Sequence, residues 1–184
     1  MGPSCRATRL WEYPTVGEDE TRTVGTEEFG DFVAKLDYPL FVVTVRQGDE
    51  RSGCLVGFTT QVSIDPPQML VCISEKNHTH RLARDAEMIA VHVLSPDQQA
   101  HAELFGEETG DDTDKFAHVA WHDGPGGVPV LDDCARHMVG RVLQRMPFGD
   151  HLGLLLGPVE TRVTDAPVAY TLNDAEGMEP GHSA

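Results

Sequence analysis

The chain has 184 residues, with 30 Asp and Glu against 14 Lys and Arg, for a formal net charge of −16. That length suits one domain with a core large enough to need no metal or disulfide. The charge excludes general nucleic-acid binding, which needs a basic face, and disfavours an anionic membrane surface.

Residues 1–25 read as an N-terminal arm that Trp11 and Tyr13 could anchor on a neighbour. No apolar leader segment or membrane-length apolar run is visible, so a cytoplasmic protein with no membrane partner is expected. Thr26 followed by Glu27 and Glu28 reads as a helix N-cap, and Phe29, Phe32, Val33 and Leu36 share one face of the helix. Residues 40–46 form a β-branched run, hence a strand; residues 47–50 are a turn, and residues 51–57 the returning strand. Residues 59–63 read as a polar loop ending at the Pro66-Pro67 corner. Strands follow at 69–73 and 88–94, with a short helix at 81–86 between them. Ser95, Pro96 and Gln98 form a capping-box start for a helix that stops at Gly106. Residues 107–114 are an acidic loop and 124–127 a turn. Residues 138–146 and 151–163 are two late strands, and 171–184 an apolar-poor, frayed tail. Eighteen glycines, twelve prolines and many short strands indicate a mainly β fold, a closed or nearly closed barrel with interposed helices. The domain is expected to span residues 26–170.

Two polar segments flank one strand. The first holds Thr59, Thr60, Gln61 and Ser63, whose hydroxyl and amide groups can donate to ligand carbonyls or a phosphate, or can satisfy their own backbone. The second is residues 74–81: Ser74, Lys76, Asn77, Thr79, His80 and Arg81 lie on it, with Asn77 or Thr79 as the helix cap. It is the densest basic stretch of an acidic chain, and reads either as an anion site or as a capped helix with a solvated face. Its pairing with the first segment across a strand favours one shared anionic ligand. A third candidate is His151 after Gly149-Asp150, at a strand start where a side chain can project at a barrel mouth. His92 is either a satisfied core histidine or a ligand contact. The histidines lack ligand spacing and the four cysteines form no CxxC pair, so no metal is expected; Cys54 and Cys72 read as small core residues.

The run from Gly53 to Pro67, then residues 74–81, 90–95, 114–117, Trp121 with the turn to Gly127, 128–131 and Gly149-Asp150-His151, in this order and spacing, resembles the flavin reductase-like family. The resemblance covers about residues 28–164. It implies a six-stranded Greek-key split barrel and a homodimer with flavin, FMN or FAD, at the subunit interface. It further implies hydride transfer from NADH or NADPH to the flavin, and delivery of reduced flavin to a partner monooxygenase. Carried onto this chain, the flavin ring and ribityl chain lie along Leu55, Val56, Gly57, Phe58, Thr59, Thr60 and Gln61. The phosphate meets Thr59, Thr60 and the 74–81 loop, and His151 matches the family histidine near the nicotinamide. The chain departs from the family where Val56-Gly57-Phe58 replaces a hydroxyl-rich run, where His92 replaces Asn, and where the Tyr-containing terminal strand is missing. The alternatives are a flavin-binding carrier without reductase activity and, third, a deazaflavin-dependent oxidoreductase.

Overall fold

The computed structural model describes residues 24–181. The arm with Trp11 and Tyr13, and the last three residues of the tail, lie outside the described residues. Helix α1 (Thr26–Val33) has Glu27 and Glu28 in its first turn, but Gly25, in extended conformation, occupies the cap position, so Thr26 is already inside the helix. Phe29, Phe32, Val33 and Leu36 share a face as expected, and that face is exposed. The helix belongs to a compact unit ending at Leu36; a second begins at Asp37 rather than at Thr26.

That second unit carries nine strands: β1 (Phe41–Gln47), β2 (Glu50–Val56), β3 (Thr59–Ser63), β4 (Gln68–Ser74), β5 (Met88–Val93), β6 (Trp121–Asp123), β7 (Pro129–Leu131), β8 (Arg136–Phe148) and β9 (His151–Val163). Its helices are α2 (His78–Ala83) and α3 (Gln99–Gly106). Seven strands form one antiparallel sheet in the order β2-β1-β5-β8-β9-β4-β3, and β6 and β7 form a separate hairpin. Side chains alternate across a strand, so the odd residues of β1, Phe41, Val43 and Val45, join Cys54, Val56, Val71, Ile73, Ile89, Val91, Leu154 and Leu156 in one core. Leu82, Ala83 and Ala86 plug one end of it, and Met138 and Val142 of β8 pack against it. Six strands thus line the barrel core, as expected.

Strand β3 is the seventh, at the sheet edge. It corrects the expected loop: Thr59, Thr60 and Gln61 pair with Val71, Leu70 and Met69 of β4. Thr59, Thr60 and Val62 are β-branched and fit a pleated edge. The helix expected at 81–86 begins earlier, at His78, because Asn77 accepts from the Thr79 N–H at 2.9 Å and caps it. The hairpin of β6 and β7 was visible in sequence only as its glycine turn.

The outer face of β1 is covered by a second cluster containing Leu40, Val42, Leu94, Phe105, Phe116, Leu131 and Tyr170. The Ser95–Gln98 capping box is formed and α3 ends at Gly106, both as read from sequence. The tail is not frayed over residues 171–181. Tyr170 is buried, its carbonyl accepts from Leu40 N at 2.8 Å, and its N–H donates to the Leu94 carbonyl at 2.8 Å. Leu172 N donates to Tyr38 O at 3.0 Å and Gly181 N to Gly106 O at 3.0 Å. One large buried aromatic, with its backbone paired, outweighs the poor apolar content of the residues after it. No helix among the described residues is long and apolar enough to cross a membrane.

Two buried polar side chains pin β7 onto the sheet. Thr44 Oγ1 donates to the Pro129 carbonyl. His92 Nδ1 lies 3.0 Å from the Val42 carbonyl, while its Nε2 accepts from Leu131 N–H at 3.0 Å, so the neutral Nδ1–H tautomer satisfies both. His92 is therefore the satisfied core residue of the two readings. Burial pushes its pKa down to about 3. The unfolded chain takes up this proton near pH 6.5 and the folded one does not, so stability is fully present above that pH and declines as pH falls towards 3. The expected slope from this group is about 1.4 kcal/mol per pH unit. Urea unfolding between pH 7 and 4 should show a shallower decline for His92→Asn than for the parent chain; equal slopes would exclude His92 as the source.

Candidate functional site

β2 and β4 each contribute to the barrel core, yet they are not neighbours in the hydrogen-bonded order. The chain crosses between them at Gly57 and Phe58, where Cys72 N donates to the Phe58 carbonyl at 2.9 Å. The seam opens into a cleft of about 240 Å³. Leu55, Gly57 and Phe58 form one side, Cys72, Ile73 and Ser74 the other, with Asn77 and His151 at the polar end and Tyr38 and Leu172 across the mouth. A Cβ on Gly57 would stand 2.7 Å from Tyr38 Cε2, so only glycine lets that ring lie against the backbone.

β4 and β9 run antiparallel, with Ser74 directly opposite His151. His151 Nδ1 is 2.7 Å from Asp150 Oδ1, and its ring centroid is 5.1 Å from that of Phe58. The hydrogen bond from His151, then its charge, holds the Asp150 carboxyl below the usual carboxylate range. Glu75 N donates to the Asp150 carbonyl at 3.0 Å, tying the 74–77 loop to the turn that presents His151. The same loop continues into α2, which is anchored to β2 by Thr79 Oγ1 at 2.8 Å from Ser52 Oγ; Ser52 Oγ is in turn 3.0 Å from His78 Nδ1.

The structure brings together Leu55, Gly57, Phe58, Ser74, Asn77 and His151 from the residues expected at the site. Val56 also borders the cleft but is buried and packs into the barrel core. Thr59 follows Phe58, and its Oγ1 is buried without a hydrogen-bond partner. Thr60 and Gln61 are exposed and bond along their own strand, to the carbonyls of Gln61 at 3.3 Å and Ser63 at 3.1 Å. Lys76 is exposed beside the Asp150 turn, and its charge helps lower the Asp150 pKa. Thr79 is buried under α2 and His80 half-buried on it. Arg81 turns away: it pairs with Glu50 and stands 3.1 Å from His78 Nε2. It thus borders a second, acidic cleft of about 320 Å³ lined by Glu50, His78, Asp111 and Asp114.

Sequence reasoning missed Tyr38, Leu172, Cys72 and Ile73. The first two come from segments far from the polar loops, and no local pattern marks them. Burial raises the thiol pKa of Cys72 and pushes those of Cys54 and Cys134 to about 11 and 12, so none is a ready nucleophile. No group of three or more His, Cys, Asp or Glu among the described residues could hold a metal ion. The arrangement is a largely apolar cleft that also presents hydroxyl, amide and imidazole groups.

Residues 33–177 match the family model described as the flavin reductase like domain. The chain is 34% identical over 153 residues to an NADH:riboflavin 5'-phosphate oxidoreductase of Streptomyces pristinaespiralis, covering 82% of this chain and 86% of that one. It is 30% identical over 128 residues to the FMN reductase (NADH) RutF of Bradyrhizobium diazoefficiens, covering 70% and 71%. Among solved structures it is similar to the NADH:FAD oxidoreductase SgcE6 of Streptomyces globisporus, with a TM-score of 0.73 at 22% identity over 82% of this chain and 92% of that one.

The buried Thr59 hydroxyl has no hydrogen-bond partner, so its desolvation is uncompensated. Thr59→Val should raise the unfolding free energy by about 1 kcal/mol in denaturant titration. A loss of stability would show instead that the hydroxyl has a partner in solution.

Proposed function

The chain belongs to the flavin reductase like domain family, and from that premise we propose that it transfers a hydride from NAD(P)H to FMN or FAD, the reduced flavin then serving a partner monooxygenase. The observation that carries this reading is the seam cleft itself: an apolar slot between β2 and β4 that ends at the Ser74–Asn77 loop and His151. A bound flavin would supply the hydride acceptor. The residues present fit such a ring. Leu55, Gly57 and Phe58 offer apolar surface, and next to Phe58 the buried Thr59 Oγ1 without a protein partner is a donor of the kind a flavin carbonyl or ribityl oxygen needs.

In this reading the protein binds, orients and excludes water. Ser74 and Asn77 line the cleft and Lys76 lies on the loop between them, and to these three we assign the phosphate. Arg81, expected there from sequence, is paired with Glu50. His151 has Nδ1 engaged by Asp150, so Nε2 is the nitrogen turned to a second ligand. It would hold the nicotinamide carboxamide or the donor's pyrophosphate against the open side of the ring. Phe58 at the rim is 56% exposed, so the slot is open enough to release its product. Among the described residues the three thiols, Cys54, Cys72 and Cys134, are free, which suits a reducing cytoplasm, where NAD(P)H is also supplied.

We also propose a homodimer. Phe58, Val62, Ile64, Leu143 and Phe148 are exposed large apolar side chains near the sheet's β3 edge and the β8–β9 hairpin, and Ile64 is 86% exposed. A second copy would cover them beside the flavin slot. Light scattering of the flavin-loaded protein should give twice the chain mass; a monomer would remove this part of the proposal.

Anaerobic titration with NADH and then NADPH, with FMN in excess and followed at the flavin absorbance, tests the reaction. Bleaching with a catalytic amount of protein is expected. Flavin binding without bleaching would make the protein a carrier, and no binding of either flavin would end the proposal. Lys76→Ala should cost about 1.5–3 kcal/mol of FMN affinity and leave riboflavin affinity unchanged. His151→Ala should raise KM for NAD(P)H or slow hydride transfer per bound flavin, while FMN affinity holds. Unchanged kinetics with lower thermal stability would reduce His151 to a turn residue.

A further inference from the structure

The segment 171–181 does more than cover the core. Together with α3 it lines a third, open cavity of about 300 Å³. Leu40, Leu55, Gly57, Asn77 and Leu172 line this chamber and the seam cleft alike, so the two adjoin. Beyond the shared residues the chamber is floored by Phe105 and Gly106 and roofed by Ala175, Met178 and Pro180, with Glu179 at the edge. Its space depends on Gly106, where a Cβ would stand 3.1 Å from both Leu55 Cδ2 and Met178 Cε. The segment is held by the Gly181–Gly106 backbone bond, by Tyr170 Oη donating to the Asp174 carbonyl at 2.9 Å, and by Glu179 N donating to Glu107 Oε1 at 3.1 Å.

The charged side chains at the rim of this apolar chamber, among the described residues, are acidic. No Lys or Arg occurs in residues 85–114 or 163–184, the two stretches that supply α3 and the roof. Glu179 lines the chamber, Glu107 touches its backbone, and Asp174, Glu103 and Glu107 add to burial in raising the Tyr170 pKa. Among the described residues the nearest cation is Lys115, buried behind Phe105 and bonded to the carbonyls of Gly53 and Phe105, so a phosphate at the rim would meet the carboxylates first. A neutral planar base would meet apolar walls and one amide.

Resting on the flavin-reductase reading, we propose that this chamber takes the adenosine end of the nicotinamide donor and that its acidic rim selects NADH over NADPH. The donor then spans both cavities, its nicotinamide near His151 in the seam cleft and its adenine under Leu172 and Met178. The pyrophosphate passes Asn77, which lines both. The ribose 2'-phosphate of NADPH falls among Glu107 and Glu179, where like charges repel in a partly desolvated site.

The test compares NADH, NADPH and reduced nicotinamide mononucleotide, which has no adenosine, at saturating FMN. NADH should exceed NADPH in kcat/KM by about tenfold or more, from the repulsion of one added phosphate. Met178 lines the chamber and not the seam cleft, so Met178→Ala should raise KM for NADH about tenfold and leave the mononucleotide's KM as it was, an effect that general loosening of the fold would not produce. Glu179→Lys should move the NADPH-to-NADH ratio towards NADPH by about tenfold. Binding gives a readout apart from turnover: ADP-ribose should bind the FMN-loaded protein by calorimetry, and 2'-phospho-ADP-ribose more weakly. Equal losses for NADH and the mononucleotide, or a ratio that Glu179→Lys does not move, would overturn the inference. FMN binding measured first separates the two readings. If FMN fails to bind, the flavin-reductase reading falls and this one with it. If FMN binds and ADP-ribose does not, only the chamber assignment is lost.

Discussion

β2 and β4 meet across a seam without a hydrogen-bonded ladder, and the functional geometry follows from that gap. Both strands are fixed from other sides, β2 by β1 over seven residue pairs and β4 by β3 and β9. The shared core of Cys54, Val56, Val71 and Ile73 holds them together from within. Packing thus closes the barrel where hydrogen bonding does not, and the outer part of the seam stays open as a slot. Ser52, bonded to Thr79, keeps the head of α2 against β2, which places the 74–77 loop at the end of the slot and not elsewhere on the rim.

The charge of −16 is managed locally. Arg46 pairs with Asp123 at 2.7 Å, Arg51 with Asp114 at 3.0 Å and Arg81 with Glu50. Pairs this exposed add little stability. They do set where each cation points, and Arg81 is turned to Glu50. Lys115 is the contrasting case. Its buried ammonium donates to the carbonyls of Gly53 and Phe105 at 3.2 Å each, and burial lowers its pKa. It ties α3 to β2, so the wall between the seam cleft and the adjoining cavities is braced by one buried amine.

Local patterns carried most of the elements. β-branched alternation marked β1, β5, β8 and β9, and the Ser95 box and Gly106 bounded the α3 region. Asn77 was a legible cap because a side-chain acceptor two residues before a free N–H has a defined geometry. Thr59–Ser63 was misread because the same hydroxyls that suit a loop also suit an edge strand, and only pairing with β4 distinguishes them. The tail was misread because burial of Tyr170 depends on Leu40 and Leu94, far away in sequence.

The sequence by itself determined the family pattern, the antiparallel strands and the residue types available for a ligand: Ser74, Lys76, Asn77 and His151. These rest on spacing and local stereochemistry, which a linear chain displays. Tertiary structure alone decided which of them share a cleft. It set Ser74 opposite His151, turned Arg81 towards Glu50, and brought Tyr38, Leu172 and Met178 from separate segments to the two cavities. Those outcomes depend on sheet register, on charge pairing across the fold and on packing between distant residues, and none of these is written in any local stretch of the chain.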